Sequence, residues 1–127
     1  MSPKSLKSAI VVCAALFCSI GTASAMSLTF EWGPTKKCFD PKSPPVKLAD
    51  VPKGTKKLRF KLVDLDATGY PHGGDTIDYT GKNSLPYGAF HYTGPCPPSP
   101  HTYVLSVEAL DPGGKTLAKA EAKRRFP

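Results

Sequence analysis

Two histidines in this chain stand beside residues that could set their chemistry. His101 ends a run of four prolines in TGPCPPSPHTY, Thr93 to Tyr103, and His72 ends KLVDLDATGYPH, eight residues after Asp64. An imidazole donates to an oxyanion, a tyrosine such as Tyr103 adds a hydroxyl, and an aspartate accepting from one ring nitrogen fixes the tautomer or favours the charged ring. That set suits a phosphate or a carboxylate. A metal centre fits less well, because Asp64, His72 and His101 follow no compact ligand spacing. Serine hydrolysis fits worse, since neither Ser99 nor Ser106 lies in a nucleophile-elbow sequence. Ordinary structure also accounts for each residue singly: Asp64 and Asp66 as turn formers, His72 as a loop residue between Pro71 and Gly73, His101 as a strand-edge residue and Tyr103 as core. His91 has no motif around it.

These side chains must be positioned by strands. The 14 prolines and 11 glycines punctuate the chain too often for a long amphipathic helix. LTFEW (Leu28 to Trp32) alternates as a first strand; Leu58, Phe60 and Leu62 share one face of KKLRFKLVDLD, opposite Arg59 and Lys61; Tyr103, Leu105, Val107 and Ala109 share one face of TYVLSVEALD. Shorter strands are expected near Thr76 to Thr80 and Ala89 to Tyr92. Asp111-Pro112-Gly113-Gly114 predicts a turn, and TLAKAEAKRRF beyond it, although its composition also suits a helix, reads as an edge strand closing a hairpin. Six or seven short strands without an internal repeat predict an all-β antiparallel sandwich with little helix. A plain immunoglobulin-like module is the structural alternative, and would leave the histidines scattered.

Lys4 and Lys7, the apolar run Ala9 to Ile20 and the small residues Ala23-Ser24-Ala25 predict a secretory signal peptide over residues 1–25, too short in its apolar part to span a bilayer. Cys13 and Cys18 lack the small preceding residue of a lipoprotein site. Residues 26–127 are then a single domain, periplasmic or secreted. Two of the 17 Lys and Arg go with the leader, leaving 15 against 10 Asp and Glu, a net charge of +5. The lysines are dispersed apart from Lys123-Arg124-Arg125, and no aromatic stripe interleaves with them, so nucleic acid is not an expected partner. Peripheral contact with an anionic membrane surface fits this charge better. The remaining pair, Cys38 and Cys96, predicts one disulfide in an oxidising compartment; a redox-active pair would call for a closer spacing.

The two chemistry-bearing segments resemble those of the phosphatidylethanolamine-binding protein (PEBP) family, in particular its bacterial Raf-kinase-inhibitor-like members. Asp64-Leu65-Asp66-Ala67 resembles the family's Asp-Pro-Asp-Ala-Pro segment, His72 its following histidine, Gly94-Pro95-Cys96-Pro97-Pro98 its proline-rich stretch and His101-Thr102-Tyr103 its His-Arg-Tyr. The likeness covers about half of residues 26–127 well and the last segment, Thr116 to Phe126, more loosely. Leu65 and Thr68 stand in place of prolines, and Thr102 replaces an arginine that in that fold pairs with an acid of the first motif. Gly73-Gly74-Asp75 follows His72 where an apolar strand is usual, and the Asp111 turn leaves no room for a helical insertion.

The resemblance implies a PEBP-like sandwich whose Asp64, His72, His101 and Tyr103 converge on a small cavity. Gly94 would let a ligand approach the backbone. Pro95 to Pro100, stiff before folding, would form a preset wall pinned by Cys96 to Cys38. The implied function is non-enzymatic and requires no cofactor: recognition of an anionic small molecule, a phosphate-bearing group or a phospholipid headgroup, with affinity rising as pH falls toward the histidine range, about 6.5. The competing class is a protein-interaction or protease-inhibitor-like module with a partner in the cell envelope.

Overall fold

Alternation along one strand sets the frame of the molecule. In the computed structural model, which describes residues 25–127, the strand Lys57–Asp64 buries Leu58, Phe60 and Leu62 and exposes Lys57, Arg59 and Lys61. Asp64 is fourth in the same two-residue series, so the pleat turns a carboxylate toward the interior at the strand's end. Seven strands are present: β1 (Ser27–Phe30), β2 (Val46–Ala49), β3 (Lys57–Asp64), β4 (Gly74–Asp78), β5 (Ser84–Leu85), β6 (His101–Leu110) and β7 (Thr116–Phe126). No helix occurs among the described residues. The expected leader lies outside them, except for Ala25.

The strands form two antiparallel sheets, ordered β1-β2-β5 and β4-β3-β6-β7. Leu28 and Phe30 of β1 and Val46 and Leu48 of β2 meet Leu58, Phe60, Leu62, Leu105 and Val107 of the larger sheet in one core. Phe90 fills the centre, its ring stacked on that of Phe60 at 4.2 Å. Trp32 closes one end, edge-on to Phe30, Tyr103 and Phe126 at 5.0 to 5.6 Å, and its indole N–H donates to the Arg125 carbonyl at 2.8 Å. The all-β sandwich expected from the sequence is the architecture found.

The Asp111 turn is a β-hairpin turn. Asp111 Oδ1 accepts from the N–H groups of Gly113 and Lys115 at 2.9 and 2.8 Å, and Gly114 takes φ +85°, a conformation that glycine adopts without side-chain strain. TLAKAEAKRRF is strand throughout, with Ala118, Ala120 and Ala122 against the core and Lys119, Glu121 and Lys123 outward.

Three expectations require correction. Ala89 to Tyr92 is not a strand; it contributes one isolated bridge, Lys42 to His91, because the segment it faces carries prolines without N–H groups. The strand expected at Thr76 to Thr80 starts earlier, so Gly73-Gly74-Asp75 does lead into a strand after His72, though an edge strand of mixed polarity. Gly74 suits that pairing, since a Cβ there would lie 1.8 Å from the Phe60 carbonyl oxygen. The first strand stops at Phe30, two residues before Trp32.

Candidate functional site

Two strands bring the first pair of polar groups together. Asp64 of β3 lies opposite Tyr103 of β6, and His101 shares the inward parity of Tyr103, Leu105 and Val107. The carboxylate and both rings therefore converge at one end of the larger sheet. His101 Nδ1 donates to Asp64 Oδ2 at 2.6 Å, with side-chain exposures of 17% and 5%. The other carboxylate oxygen accepts the Asp66 N–H at 2.9 Å. Burial pushes the Asp64 pKa up, but the hydrogen bonds from His101 and the Asp66 N–H, the charge of the imidazole and the Tyr103 hydroxyl outweigh it, and the carboxyl is held below its ordinary value. Tyr103 is raised well above the usual tyrosine range by burial and by the adjacent Asp64 charge, so it stays a neutral hydroxyl.

His72 arrives from the loop after β3 and is held at two points. Its carbonyl accepts the Thr93 N–H at 2.8 Å, and its ring Nδ1 donates to the Thr93 carbonyl at 2.7 Å. The ring is buried, edge-on to Tyr103 at 5.4 Å and covered by Tyr70 at 4.7 Å. Phe39 then stacks on Tyr70 at 5.9 Å, so a column of four rings runs from the surface to the floor of the site.

The proline-rich wall is one half of an irregular ribbon. Residues 38–44 and 88–96 run antiparallel: Gly88 N–H donates to Ser43 O, Ser43 N–H to Phe90 O, Tyr92 N–H to Pro41 O and Gly94 N–H to Asp40 O, over 2.8 to 3.2 Å. The Cys38–Cys96 disulfide closes the end of this ribbon, with the two Cα atoms 4.8 Å apart. Buried Asp40 stiffens its middle, accepting from the Tyr87 hydroxyl and from the Lys42 N–H.

Between these parts lies a cavity of about 110 Å³ lined by Asp64, His72, His101 and Tyr103 with Phe39, Ala67, Tyr70, Cys96, Pro97 and Pro98. Four of the six residues expected to bind a ligand thus share one concavity. Gly94 and Pro95 do not line it. A Cβ on Gly94 would sit 2.6 Å from the Asp40 carbonyl oxygen, so this glycine admits the neighbouring backbone instead of a ligand, and Pro95 is wholly buried. Of the rim residues, Phe39 lay in no motif, and the disulfide beside it was the signal that could have placed it; Tyr70 lies within KLVDLDATGYPH, two residues before His72.

At Thr102, where the resembled motif has an arginine, the backbone N–H and carbonyl make the link to the first motif. Asp66 Oδ2 accepts the Thr102 N–H at 2.7 Å, and the Leu65 N–H donates to the Thr102 carbonyl at 2.8 Å. These contacts tie the first motif to β6 without an ion pair. Donor atoms of Asp64, Asp66 and His101 lie within 4.8 Å of one another, but both oxygens of Asp64 and Oδ2 of Asp66 are engaged by ring and backbone N–H groups, which makes the cluster a hydrogen-bonded strand closure. His91 is exposed beside Asp75, away from the cavity. A wider groove of about 930 Å³ crosses the outer face of the larger sheet. Three of its charges pair with one another: Arg59 Nε donates to Glu108 at 2.6 Å and Lys119 approaches the same carboxylate at 3.3 Å. It is an open, solvated sheet face carrying charges of both signs, and the smaller cavity, where the two imidazoles and Asp64 meet, is the candidate site.

No family model matches the chain, and no curated protein matches it by sequence. Its structure is similar to that of a Chlamydia trachomatis protein described as a PEBP homologue, with 22% identity and a TM-score of 0.62 over 81% of this chain and 97% of the other. It is similar also to YbcL of E. coli, described as a new member of the mammalian PEBP family, with 19% identity and a TM-score of 0.62 over 81% of this chain and 98% of that one. At these identities the likeness establishes the fold: residues 25–127 form a PEBP-like all-β sandwich.

Proposed function

We propose that this domain is a periplasmic or secreted binding protein that recognises a small anionic group, a free phosphate-bearing or carboxylate-bearing molecule or a phospholipid headgroup, in the cavity between Asp64, His72, His101 and Tyr103. The observation that carries this reading is the state of the two imidazoles. The Thr93 carbonyl can only accept, so His72 Nδ1 carries a hydrogen; Asp64 is an ionised acceptor, so His101 Nδ1 carries one too. Both rings are thereby fixed, each with Nε2 as its remaining nitrogen. Protonation turns each Nε2 into a charged donor, the group that an oxyanion needs in a site largely withdrawn from water.

Size limits the ligand. A cavity of about 110 Å³ has room for roughly three or four waters and is well below the ~300 Å³ and more of drug-sized sites. It admits an anionic group, with the rest of a larger molecule outside. Binding fits the site better than nucleophilic catalysis, since no serine or threonine lines it and its only sulfur, Cys96, is in the disulfide. The disulfide favours an oxidising compartment.

Calorimetric titration with inorganic phosphate and with acetate between pH 5.5 and 8, in two buffers of different ionisation enthalpy, tests the reading. Binding is expected to take up protons and to weaken by about tenfold per pH unit for each proton taken up once the rings are neutral, and His101→Gln is expected to remove most of it. Flat affinity without proton uptake would take the imidazoles out of the account.

A further inference from the structure

The floor and the mouth of the cavity differ in chemistry. The floor is polar and buried, with Asp64 and His72 each 3% exposed. The mouth is an apolar collar of Phe39, Tyr70, Pro97 and Pro98. Phe39 and Tyr70 are 46% and 44% exposed and lie nearly parallel, at an interplanar angle of 17°. They are two of the four large exposed hydrophobic side chains among the described residues, placed together at this one opening. Phe39 is held there at φ +53°, a left-handed backbone that side chains other than Asn, Asp and Gly seldom adopt.

The polar floor also counts charges. The ionised Asp64 beside the two rings offsets part of any positive charge they offer an anion, so a singly charged group suits this withdrawn floor better than a phosphate dianion. Two Nε2–H donors match the two oxygens of a carboxylate, whereas a phosphate monoester brings a third oxygen toward the apolar collar.

We propose that the site is built for an apolar monocarboxylate, in its simplest form an arylcarboxylate, whose two oxygens accept from Nε2 of His72 and His101 while its ring lies against Phe39 and Tyr70. This deepens the anion-binding reading and rests on it. An aromatic contact of the usual strength makes benzoate about tenfold tighter than acetate. Phe39→Ala, at an exposed position, and Tyr70→Ala each bring benzoate affinity down toward that of acetate in the same protein, removing the preference.

Calorimetry at pH 6 with benzoate, acetate, inorganic phosphate and phenyl phosphate on the disulfide-bonded protein, its Phe39→Ala and Tyr70→Ala forms and His101→Gln decides the matter. The expected result is benzoate first, with the preference lost in either collar variant and all binding lost in His101→Gln. Phenyl phosphate binding more tightly than benzoate overturns the choice of carboxylate. Benzoate binding no more tightly than acetate, or a preference unchanged in both collar variants, overturns the role of the collar. In each of these cases His101-dependent binding of acetate or phosphate leaves the anion reading standing; if no probe binds, both fall together.

Discussion

The Asp64–His101 pair makes a prediction that needs no ligand. In Asp64→Asn the amide oxygen can still accept the Asp66 N–H, which Asp64 Oδ1 now accepts at 2.9 Å, but the amide nitrogen that then faces His101 Nδ1 either opposes a donor with a donor or drives the ring to its other tautomer and a neutral bond, and in both cases the 2.6 Å charged hydrogen bond is gone. With the carboxylate 5% exposed, solvent screening takes little away, and a hydrogen bond to a charged group contributes about 1.5–3 kcal/mol. A loss of about 2 kcal/mol at pH 7 corresponds to roughly 8–16 °C in Tm for a domain of about 100 residues. The sign of the pH dependence follows from the depressed folded pKa of Asp64. Its stabilisation is fully present above the unfolded value, about 3.9, and is lost as pH falls through the lower folded value. Urea unfolding of both proteins at pH 7, 5, 4 and 2 is therefore expected to show a full gap at the first two, a narrower one at pH 4 and a still narrower one at pH 2. A gap of the same size at pH 2 as at pH 7 would refute the reasoning, because shape and not charge would then be what Asp64 provides.

Two further perturbations test the frame around the site. Replacing both Cys38 and Cys96 with serine opens a loop of 58 residues' separation and is expected to cost about 4 kcal/mol in the chain-entropy model, read as a lowered urea midpoint with the β-sheet circular dichroism spectrum retained. Gly94→Ala places a Cβ 2.6 Å from Asp40 O and 2.9 Å from Asp40 N, so the ribbon must part; a loss of about 1–3 kcal/mol is expected, and an unchanged midpoint would mean that the two chains are not so closely apposed.

Much of the site was legible because strand parity is simple. Asp64 follows Leu58, Phe60 and Leu62 at steps of two, and His101 precedes Tyr103, Leu105 and Val107 in the same way. Both polar residues are thus in phase with an apolar series, which places them on the inner face before any partner is known. The cysteine pair was legible by elimination once the leader was set aside. The ribbon was not. Pro41, Pro44 and Pro95 supply no N–H, so its pairing is irregular and leaves no alternation to read. β2 and β5, with four residues and two, are too short for periodicity and owe their form to the strands they join. Gly94 was misread for a related reason: a glycine signals close approach to something, and sequence alone does not say whether that something is a ligand or, as here, the backbone of Asp40.

Thr102, at the position where the resembled motif has an arginine, shows how the cavity is held together here. An arginine reaching an acid of the first motif would hold the turn after β3 against β6 from outside. Here the turn is held from within: Asp66 takes the Thr102 N–H, Leu65 donates to the Thr102 carbonyl, and Asp64 receives both the Asp66 N–H and the His101 ring. Backbone groups make three of these four bonds, and such groups lose less conformational freedom in bonding than a long flexible side chain does. The same bonds fix the His101 ring, so in this chain the turn's stability and the readiness of the imidazole are one arrangement. A substitution that loosens the turn is expected also to disturb the tautomer on which the proposed anion binding depends.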